Sequence, residues 1–226
     1  MTGMLLADLV ATTEAVAATR SRLAKVAALT DLLTRLAPDE IVPAIGLLIG
    51  RPRQGRLGVG WRSIATAAAA PAQASTLTIG DVDAALEALA AAAGAGSARD
   101  RAALLRDLLA RATAAEQGFL TRTILGDVRT GALEGIVTDA VAAASGAAPA
   151  VTRRAVMLSG DLGETARDHR TASERTPRIA RDVGCGTEAN TWCIRHVSGR
   201  IHWQTSFQER PGRPRVGPAS HPAMRC

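Results

Sequence analysis

An arginine-rich and glycine-rich segment runs from Gly50 to Gly60, where three arginines and four glycines stand between two predicted helices. Glycine allows backbone N–H groups to come close to a phosphate, and a guanidinium can bind a phosphate through two parallel hydrogen bonds. The segment lacks the Gly-Lys-Ser/Thr ending of a nucleotide-binding P-loop. Phosphate binding by this loop is one hypothesis. The other is a solvated connector whose glycines serve only sharp turns.

Two later segments place arginine beside predicted helix ends. In residues 119–131, Arg122 and Arg129 lie on either side of a helix end and a glycine turn, and in residues 152–163, Arg153 lies close to the start. Helix ends with free N–H groups and nearby arginines suit the phosphate backbone of a duplex, and they do not by themselves read its sequence. The alternative for each segment is an ordinary helix cap with solvated arginines.

The helices that must position these arginines are predicted from apolar residues spaced for one helix face. The pattern predicts helices over residues 4–18, 21–37, 39–50, 61–71, 81–93, 97–109, 113–125, 133–141 and 149–158, with one more beginning at Asp161. The predicted capping residues are Asp39, Ser97 with Asp100, and Thr113 with Glu116. Because no strand alternation precedes residue 166, the predicted fold class is all-α, a multi-helix bundle.

The composition changes abruptly near residue 166. Residues 1–166 carry 16 basic and 16 acidic side chains, whereas residues 167–226 carry 11 arginines and 5 acids and supply the whole net charge of +6. All four histidines and all three cysteines follow the change, and leucine is absent there. We therefore expect a helical domain over residues 1–166. Residues 167–226 are expected to form a largely disordered tail, and their composition is typical of GC-rich sequence read in a shifted frame.

The tail contains residue types that can bind zinc. Cys185, Cys193, His196 and His202 have the spacing C-x7-C-x2-H-x5-H, which lacks the close cysteine pair of common zinc modules, so no metal site is assigned. A basic arm that binds nucleic acid is a second interpretation of the same segment. Residues 201–207 could include one short strand.

Hydrophobicity along the chain and the cysteine content bear on the expected cellular location. The sequence has no apolar run of about 18 residues, so no transmembrane helix is expected. Acidic residues interrupt the apolar N-terminal stretch, which argues against a signal peptide. Residues 1–166 contain no cysteine, so the domain needs no disulfide, and we expect a cytoplasmic, nucleoid-associated monomer.

The three arginine-bearing segments, in this order within a leucine-rich helical domain, resemble the N-terminal DNA-binding domain of ATP-dependent DNA ligases of the bacterial, high-GC type. The matching stretches are MLLADLVATTEAVAATRSRLAKVAALTDLL, LIGRPRQGRLGVGW, EQGFLTRTILGDVRTGALEGIVTDAV and VTRRAVMLSGDLGETA. The resemblance implies a module that lies along the minor groove of nicked duplex DNA and holds phosphates on both sides of the break. It also implies a role in DNA repair, recombination and replication, with ATP and magnesium serving the full-length family.

The chain departs from that family after the helical domain. The family continues with an adenylation domain, in which the lysine of a Lys-x-Asp-Gly motif attacks ATP, and then with an OB domain. Here the single lysine is Lys25, in Lys-Val-Ala-Ala, and the motif is absent. We therefore predict a truncated ligase that is inactive by itself, with no catalytic residue and no cofactor of its own.

The residues predicted to meet DNA are glycines that admit a phosphate and arginines that bind one. They are Arg51, Arg53, Gly55, Arg56, Gly58, Arg122, Arg129, Gly131 and Arg153. A domain of zero net charge can bind duplex DNA only if its arginines cluster on one face. If they are scattered, the alternative is a non-catalytic helical scaffold or protein-interaction domain.

Overall fold

A computed structural model describes residues 3–94, 96–127, 130–182, 193–197 and 200–204. At positions 130–132 and 174–182 and in both strands, the description is of the backbone alone. The chain divides into two compact units, residues 1–179 and residues 180–226. The candidate site lies in the first unit.

The first unit is all-α, as the sequence predicts. The helices are α1 Leu6–Ala18, α2 Arg22–Arg35, α3 Ile41–Leu48, α4 Trp61–Thr66, α5 Ile79–Ala91, α6 Ser97–Arg111, α7 Ala114–Leu125, α8 Thr130–Ser145, α9 Pro149–Ser159 and α10 Leu162–Asp182. Helix α2 packs against α1 and α8, α8 packs against α9, and α5 packs against α3 and α6. The core between them is built from buried leucine, isoleucine, valine and alanine, and Phe119 is its one buried aromatic residue within the described part.

Local capping signals explain several helix ends. Thr113 and Glu116 form the predicted capping box at the start of α7, and Gly126 ends the helix with a φ of 72°, a conformation that glycine adopts without strain. The carboxylate of Asp161 accepts a hydrogen bond from the backbone N–H of Glu164 over 2.9 Å, so Asp161 caps α10 as predicted.

Two predicted caps are wrong. The residue before α3 is Glu40, not Asp39, and its carboxylate accepts no bond from that helix. Glu40 is buried and instead accepts hydrogen bonds from the backbone N–H groups of Met4 and Ala37, so it ties the N-terminal segment to α3. Ser97 lies inside α6, whose cap position is Gly96 with a φ of 87° and no side-chain bond.

Helix α10 continues beyond the change of composition at residue 166. The guanidinium of Arg170 donates to the carbonyl oxygens of Thr34 and Leu36 over 2.9 and 3.0 Å, at the C-terminal end of α2. The hydroxyl of Ser173 donates to the carbonyl oxygen of Ser145 over 2.8 Å, at the end of α8. Residues 167–173 therefore pack on the helical domain, and regular structure extends further than the predicted boundary.

The second unit contains an antiparallel pair of strands, β1 Cys193–Val197 and β2 Arg200–Gln204. Strand β2 occupies part of the segment in which a short strand was predicted, whereas residues 205–207 lie outside the described residues. The register pairs His196 with Ile201 and His202 with Arg195. Of the four residues that could bind zinc by type, Cys185 lies outside the described residues.

No single helix among the described residues is long and apolar enough to cross a membrane. One bent pair, Leu133–Ser145 with Pro149–Ser159 at 119°, meets the length and composition requirement only when both helices are taken together. Within the same residues, no group of three or more histidine, cysteine, aspartate or glutamate side chains has the geometry to hold a metal ion.

Candidate nucleic-acid interface

Two of the three predicted segments meet at one surface groove. Residues of the 50–60 loop and of the C-terminal end of α7, from Thr123 to Gly126, line an open groove of about 780 Å³. The sequence separates these segments by more than sixty residues, and the packing of the helices brings them together. An arginine-rich loop and a second helix end therefore share one surface.

The loop has a defined shape. Gly55 and Gly58 have φ values of 68° and 65°, in the left-handed region that glycine adopts without strain. Leu57 lies between them and is buried in the hydrophobic core. A Cβ atom added to Gly58 would lie 3.1 Å from the guanidinium carbon of Arg101. The buried leucine and the close approach to α6 argue against a loose solvated connector.

The start of the loop is anchored to two helices. The backbone N–H of Arg51 donates to the carbonyl oxygen of Gly46 in α3 over 2.8 Å. The guanidinium of Arg53 binds both carboxylate oxygens of Asp83 in α5, through Nε and Nη2 atoms that each lie 2.8 Å from one oxygen. This hydrogen bond raises the pKa of Arg53 against the opposing effect of partial burial. Glu87 also lies 3.0 Å from the Arg53 guanidinium.

The three loop arginines differ in their partners. Arg51 lies 3.5 Å from the carboxylate of Glu134 in α8, and Arg53 is held by two carboxylates. Arg56 is exposed and makes no ion pair within the described part of the chain. The guanidinium of Arg56 is therefore the one in this loop that is available to an anion without first losing a carboxylate partner.

The end of α7 carries an exposed cation, Arg122, directly before Thr123, which lines the groove. Arg122 is exposed and forms no ion pair with any other described residue. Thr123 lines the groove, and its buried Oγ1 atom has no hydrogen-bond partner among the described residues. The end of α7 therefore offers one exposed cation, Arg122, next to a residue that lines the groove.

The remaining predicted residues have different positions. Arg129 lies outside the described residues. Gly131 was predicted to belong to the turn after α7, but α8 begins at Thr130, so Gly131 lies in the first turn of that helix. The N–H groups of a first turn have no partner inside the helix. Gly131 can therefore still offer a backbone donor, although it does so as part of a helix.

Arg153 belongs to a separate charged cluster. Its guanidinium lies 2.7 Å from one carboxylate oxygen of Asp139, and the guanidinium of Arg22 lies 2.6 Å from the other. Hydrogen bonds from Arg22 and then from Arg153 lower the pKa of Asp139, against the raising effect of burial. The cluster joins α2, α8 and α9, and it carries a net charge of +1 at its surface.

Sequence analysis missed three residues that shape the groove. Asp83 holds the loop from 30 positions away, Thr123 forms part of the groove wall, and Gly46 admits the loop backbone. Asp83 follows the Thr78–Asp81 capping box of α5, so its place on a helix could have been predicted from the sequence. No pattern in the neighbouring sequence identifies Arg53 as the partner of Asp83.

A known protein family matches the centre of this domain. The family described as DNA ligase N terminus matches residues 67–142, which extend from the residue after α4 to the last turn of α8. The match includes the α7 side of the groove. The 50–60 loop precedes it.

Curated bacterial proteins match a longer part of the chain. Over 163 residues, the chain is 60% identical to a probable DNA ligase of Pseudarthrobacter chlorophenolicus, and 52% identical to one of Saccharopolyspora erythraea. A probable DNA ligase of Rhodococcus opacus is 50% identical over the same length. Each match covers 72% of this chain and 32% of the relative, so the chain matches about a third of the length of these proteins. Residues 67–142 therefore match the DNA ligase N-terminus family, and the chain is similar to part of several probable DNA ligases of bacteria.

Proposed function

We propose that the helical domain is the DNA-binding module of an ATP-dependent DNA ligase, and that it holds backbone phosphates of duplex DNA near a nick. The observation that carries this proposal is the shared groove, which is lined by the 50–60 loop and by the end of α7. A scattered arrangement of these two segments would have favoured a scaffold without a DNA role.

The chemistry of the groove supports binding to phosphates. Arg56 and Arg122 offer guanidinium groups without carboxylate partners in the described structure, and Gly55 and Gly58 keep the loop backbone accessible. These groups recognise charge and shape and carry no base-specific pattern, so we propose binding that does not depend on sequence.

We also propose that nick sealing requires a complete ligase, of which this chain supplies only the DNA-binding module. The relatives are named probable DNA ligases, and the chain matches about a third of their length. ATP and magnesium would serve an adenylation domain with a Lys-x-Asp-Gly lysine, a motif that this sequence lacks. We propose that this chain by itself does not form a covalent adenylate. Incubation with labelled ATP and magnesium, followed by denaturing electrophoresis, tests this, and a labelled band would contradict it.

The cellular processes and the compartment that we propose follow from the proposed substrate, nicked duplex DNA. A module that binds nicked duplex DNA would act in repair, recombination and replication. It would work as a monomer in the nucleoid region of the cytoplasm. Sedimentation of the purified chain with and without DNA tests the monomer.

The direct test is binding of the full chain to a labelled duplex of about 30 base pairs, with and without a central nick, followed by fluorescence anisotropy. We expect measurable affinity at low salt and a steep loss as salt rises, because each phosphate contact releases counterions. We also expect the nicked duplex to bind at least as tightly as the intact one. Absence of duplex affinity at low salt would contradict the proposal.

A protein-interaction scaffold is the second candidate, and one observation favours it. Helix α9 exposes large apolar side chains, with exposed fractions of 52% for Val151, 84% for Met157 and 70% for Leu158. Exposed apolar surface of this kind is typical of contact with another protein. If the full chain has no affinity for duplex DNA, the scaffold becomes the better explanation.

A further inference from the structure

The position of the arginine-rich loop depends on one carboxylate of a neighbouring helix. We propose that Asp83 is a positioning residue for DNA binding, which means that an acidic side chain beside the phosphate-binding groove raises affinity for a polyanion. This inference rests on the proposed DNA-binding function, and it makes a prediction opposite to that of simple charge counting.

Asp83 binds two successive loop residues at once. Its Oδ1 atom accepts hydrogen bonds from Arg53 Nε over 2.8 Å and from Gln54 Nε2 over 2.7 Å. Its Oδ2 atom accepts from Arg53 Nη2 over 2.8 Å, and its backbone carbonyl accepts from Gln54 Nε2 over 3.2 Å. A paired arrangement of a guanidinium and a carboxylate fixes orientation as well as distance. Residues 53 and 54 are therefore held in one geometry.

Asp83 itself stands on a rigid support. It belongs to the second turn of α5, which begins with the Thr78–Asp81 capping box. Its neighbours Val82 and Leu86 are fully buried in the core, with exposed fractions of 0% and 1%. The Asp83 side chain is 19% exposed, so solvent competes little for its oxygens. The loop is thus attached to an element that cannot move without disturbing the core.

Arg56, the loop arginine without a carboxylate partner in the described structure, follows the two attached residues closely in the sequence. Gln54 is followed by Gly55, with a φ of 68°, and then by Arg56, which has no carboxylate partner within the described structure. If the attachment were lost, the loop backbone would gain freedom that DNA binding must remove again. Affinity falls in that case even though every loop arginine is still present.

Charge counting and positioning predict opposite signs for the same substitution. Asp83→Asn removes one negative charge near the groove, which by charge alone would tighten binding to DNA. The substituted amide has one acceptor oxygen, so its NH₂ group must face a donor, either Arg53 Nη2 or Arg53 Nε together with Gln54 Nε2, and the two-oxygen pairing with the guanidinium is lost. We expect Asp83→Asn to weaken binding by about ten-fold, the change that follows from loss of one charge-assisted hydrogen-bonding arrangement.

The chain offers a matched control. Asp127 directly follows Gly126, which lines the groove, and its exposed carboxylate has no side-chain partner among the described residues. Asp127→Asn removes the same charge near the same groove without releasing the loop. We expect it to tighten binding by about two-fold, as charge alone predicts.

The experiment measures anisotropy of a labelled nicked duplex with the full chain and three variants, Asp83→Asn, Asp83→Glu and Asp127→Asn, at several salt concentrations. We expect Asp83→Glu to recover part of the affinity, because it keeps both carboxylate oxygens. Hydrogen exchange should show faster exchange of amides in residues 51–60 in Asp83→Asn, with the remainder of the domain unchanged. Thermal unfolding should show that Asp83→Asn remains folded at the temperature of the binding assay.

The outcomes separate this inference from the function on which it rests. If the unsubstituted chain does not bind DNA, the proposed function fails. If it binds DNA and Asp83→Asn binds as tightly or more tightly, the function stands and the positioning role is wrong. If Asp83→Asn weakens binding but its hydrogen exchange is raised throughout the domain, the effect is general destabilisation and the positioning role is also wrong.

Discussion

Gly46 and Arg51 lie so close together that no side chain fits between them. A Cβ atom added to Gly46 would lie 2.9 Å from the carbonyl oxygen of Arg51. The backbone N–H of Arg51 in turn donates to the carbonyl oxygen of Gly46 over 2.8 Å. The glycine in α3 is therefore what allows the arginine-rich loop to begin against the core.

Gly46→Ala should destabilise the domain by about 1–3 kcal/mol, because the added methyl group forces the loop backbone away. Helix propensity alone predicts the opposite, since alanine is favoured over glycine inside a helix by about 1 kcal/mol. Chemical denaturation measures the change. Gly135→Ala in α8 is the matched control, because nothing lies within 4 Å of its added Cβ. It should stabilise the domain, and equal effects of the two substitutions would contradict this account.

Arg56→Ala and Arg122→Ala should each weaken binding to duplex DNA and reduce its salt dependence. Loss of one phosphate contact lowers the slope of log K against log salt by about 0.9. Anisotropy titrations at four or more salt concentrations measure both quantities. Arg20→Ala, at an exposed position between α1 and α2, is the control and should change neither. Unchanged slopes in both groove variants would contradict the assignment.

Asp139→Asn should loosen the joint between α2, α8 and α9. The expected loss is about 1 kcal/mol, because both guanidiniums are more than half exposed and solvent screens them. Asp31→Asn is a suitable control, since the one ion pair of Asp31 within the described structure is with Arg35 of the same helix, and its side chain is 71% exposed. Thermal unfolding at neutral pH should show a smaller change for Asp31→Asn than for Asp139→Asn.

The same cluster has a defined pH dependence. The pKa of Asp139 is lowered in the folded chain, so the unfolded state binds its proton more readily. The stabilisation from this carboxylate is complete above the ordinary aspartate pKa of about 3.9, and it is lost as the pH falls through the lower folded value. The difference in stability between the unsubstituted chain and Asp139→Asn should therefore shrink on acidification. A constant difference between pH 7 and pH 3 would contradict this.

Glu116→Ala should be among the most destabilising single substitutions in the domain. The carboxylate of Glu116 is fully buried, and its Oε2 atom accepts from the backbone N–H and the hydroxyl of Thr113 over 2.7 and 2.9 Å. Its Oε1 atom accepts from the hydroxyl of Ser75. Removal of the carboxylate leaves the backbone N–H of Thr113 and the hydroxyls of Thr113 and Ser75 without their acceptor beside a buried position, at an expected cost of about 2–3 kcal/mol.

The second capping box provides the comparison for that prediction. Asp81 of α5 makes the same contacts with Thr78, but its side chain is 36% exposed. Asp81→Ala should cost about 1 kcal/mol, the usual value for loss of a cap, because water can reach the groups left behind. If urea denaturation gives equal losses of unfolding free energy for the two substitutions, burial does not determine the cost of losing a capping carboxylate.

Arg170→Ala should destabilise the helical domain although residue 170 follows the change of composition. The guanidinium satisfies carbonyl groups at the end of α2, where a helix has no internal donors. We expect a loss of about 1–2 kcal/mol. Arg167→Ala is the control, since the one ion pair of Arg167 among the described residues is with Glu164, one turn earlier in its own helix. An unchanged midpoint for Arg170→Ala would show that α10 contributes little beyond residue 166.

Much of the fold could be predicted because its signals are local. The Thr113–Glu116 box, the Gly126 end of α7 and the Asp161 cap each involve residues within a few positions of one another. The wrong caps have a physical explanation. Asp39 and Ser97 are good capping residue types, but neighbouring residues take the cap positions, and Glu40 is drawn instead to Met4 by tertiary contacts.

Sequence by itself determined the all-α class, the family resemblance and the residue types of the groove, because helix periodicity and capping act over one or two turns. Only the tertiary structure decided which arginines have partners. Arg53 meets Asp83 from 30 positions away, Arg153 meets Asp139 from 14, and Arg170 meets Thr34 from 136. Such contacts depend on how helices pack, and helix packing depends on the shape of a whole core, which no short stretch of sequence specifies.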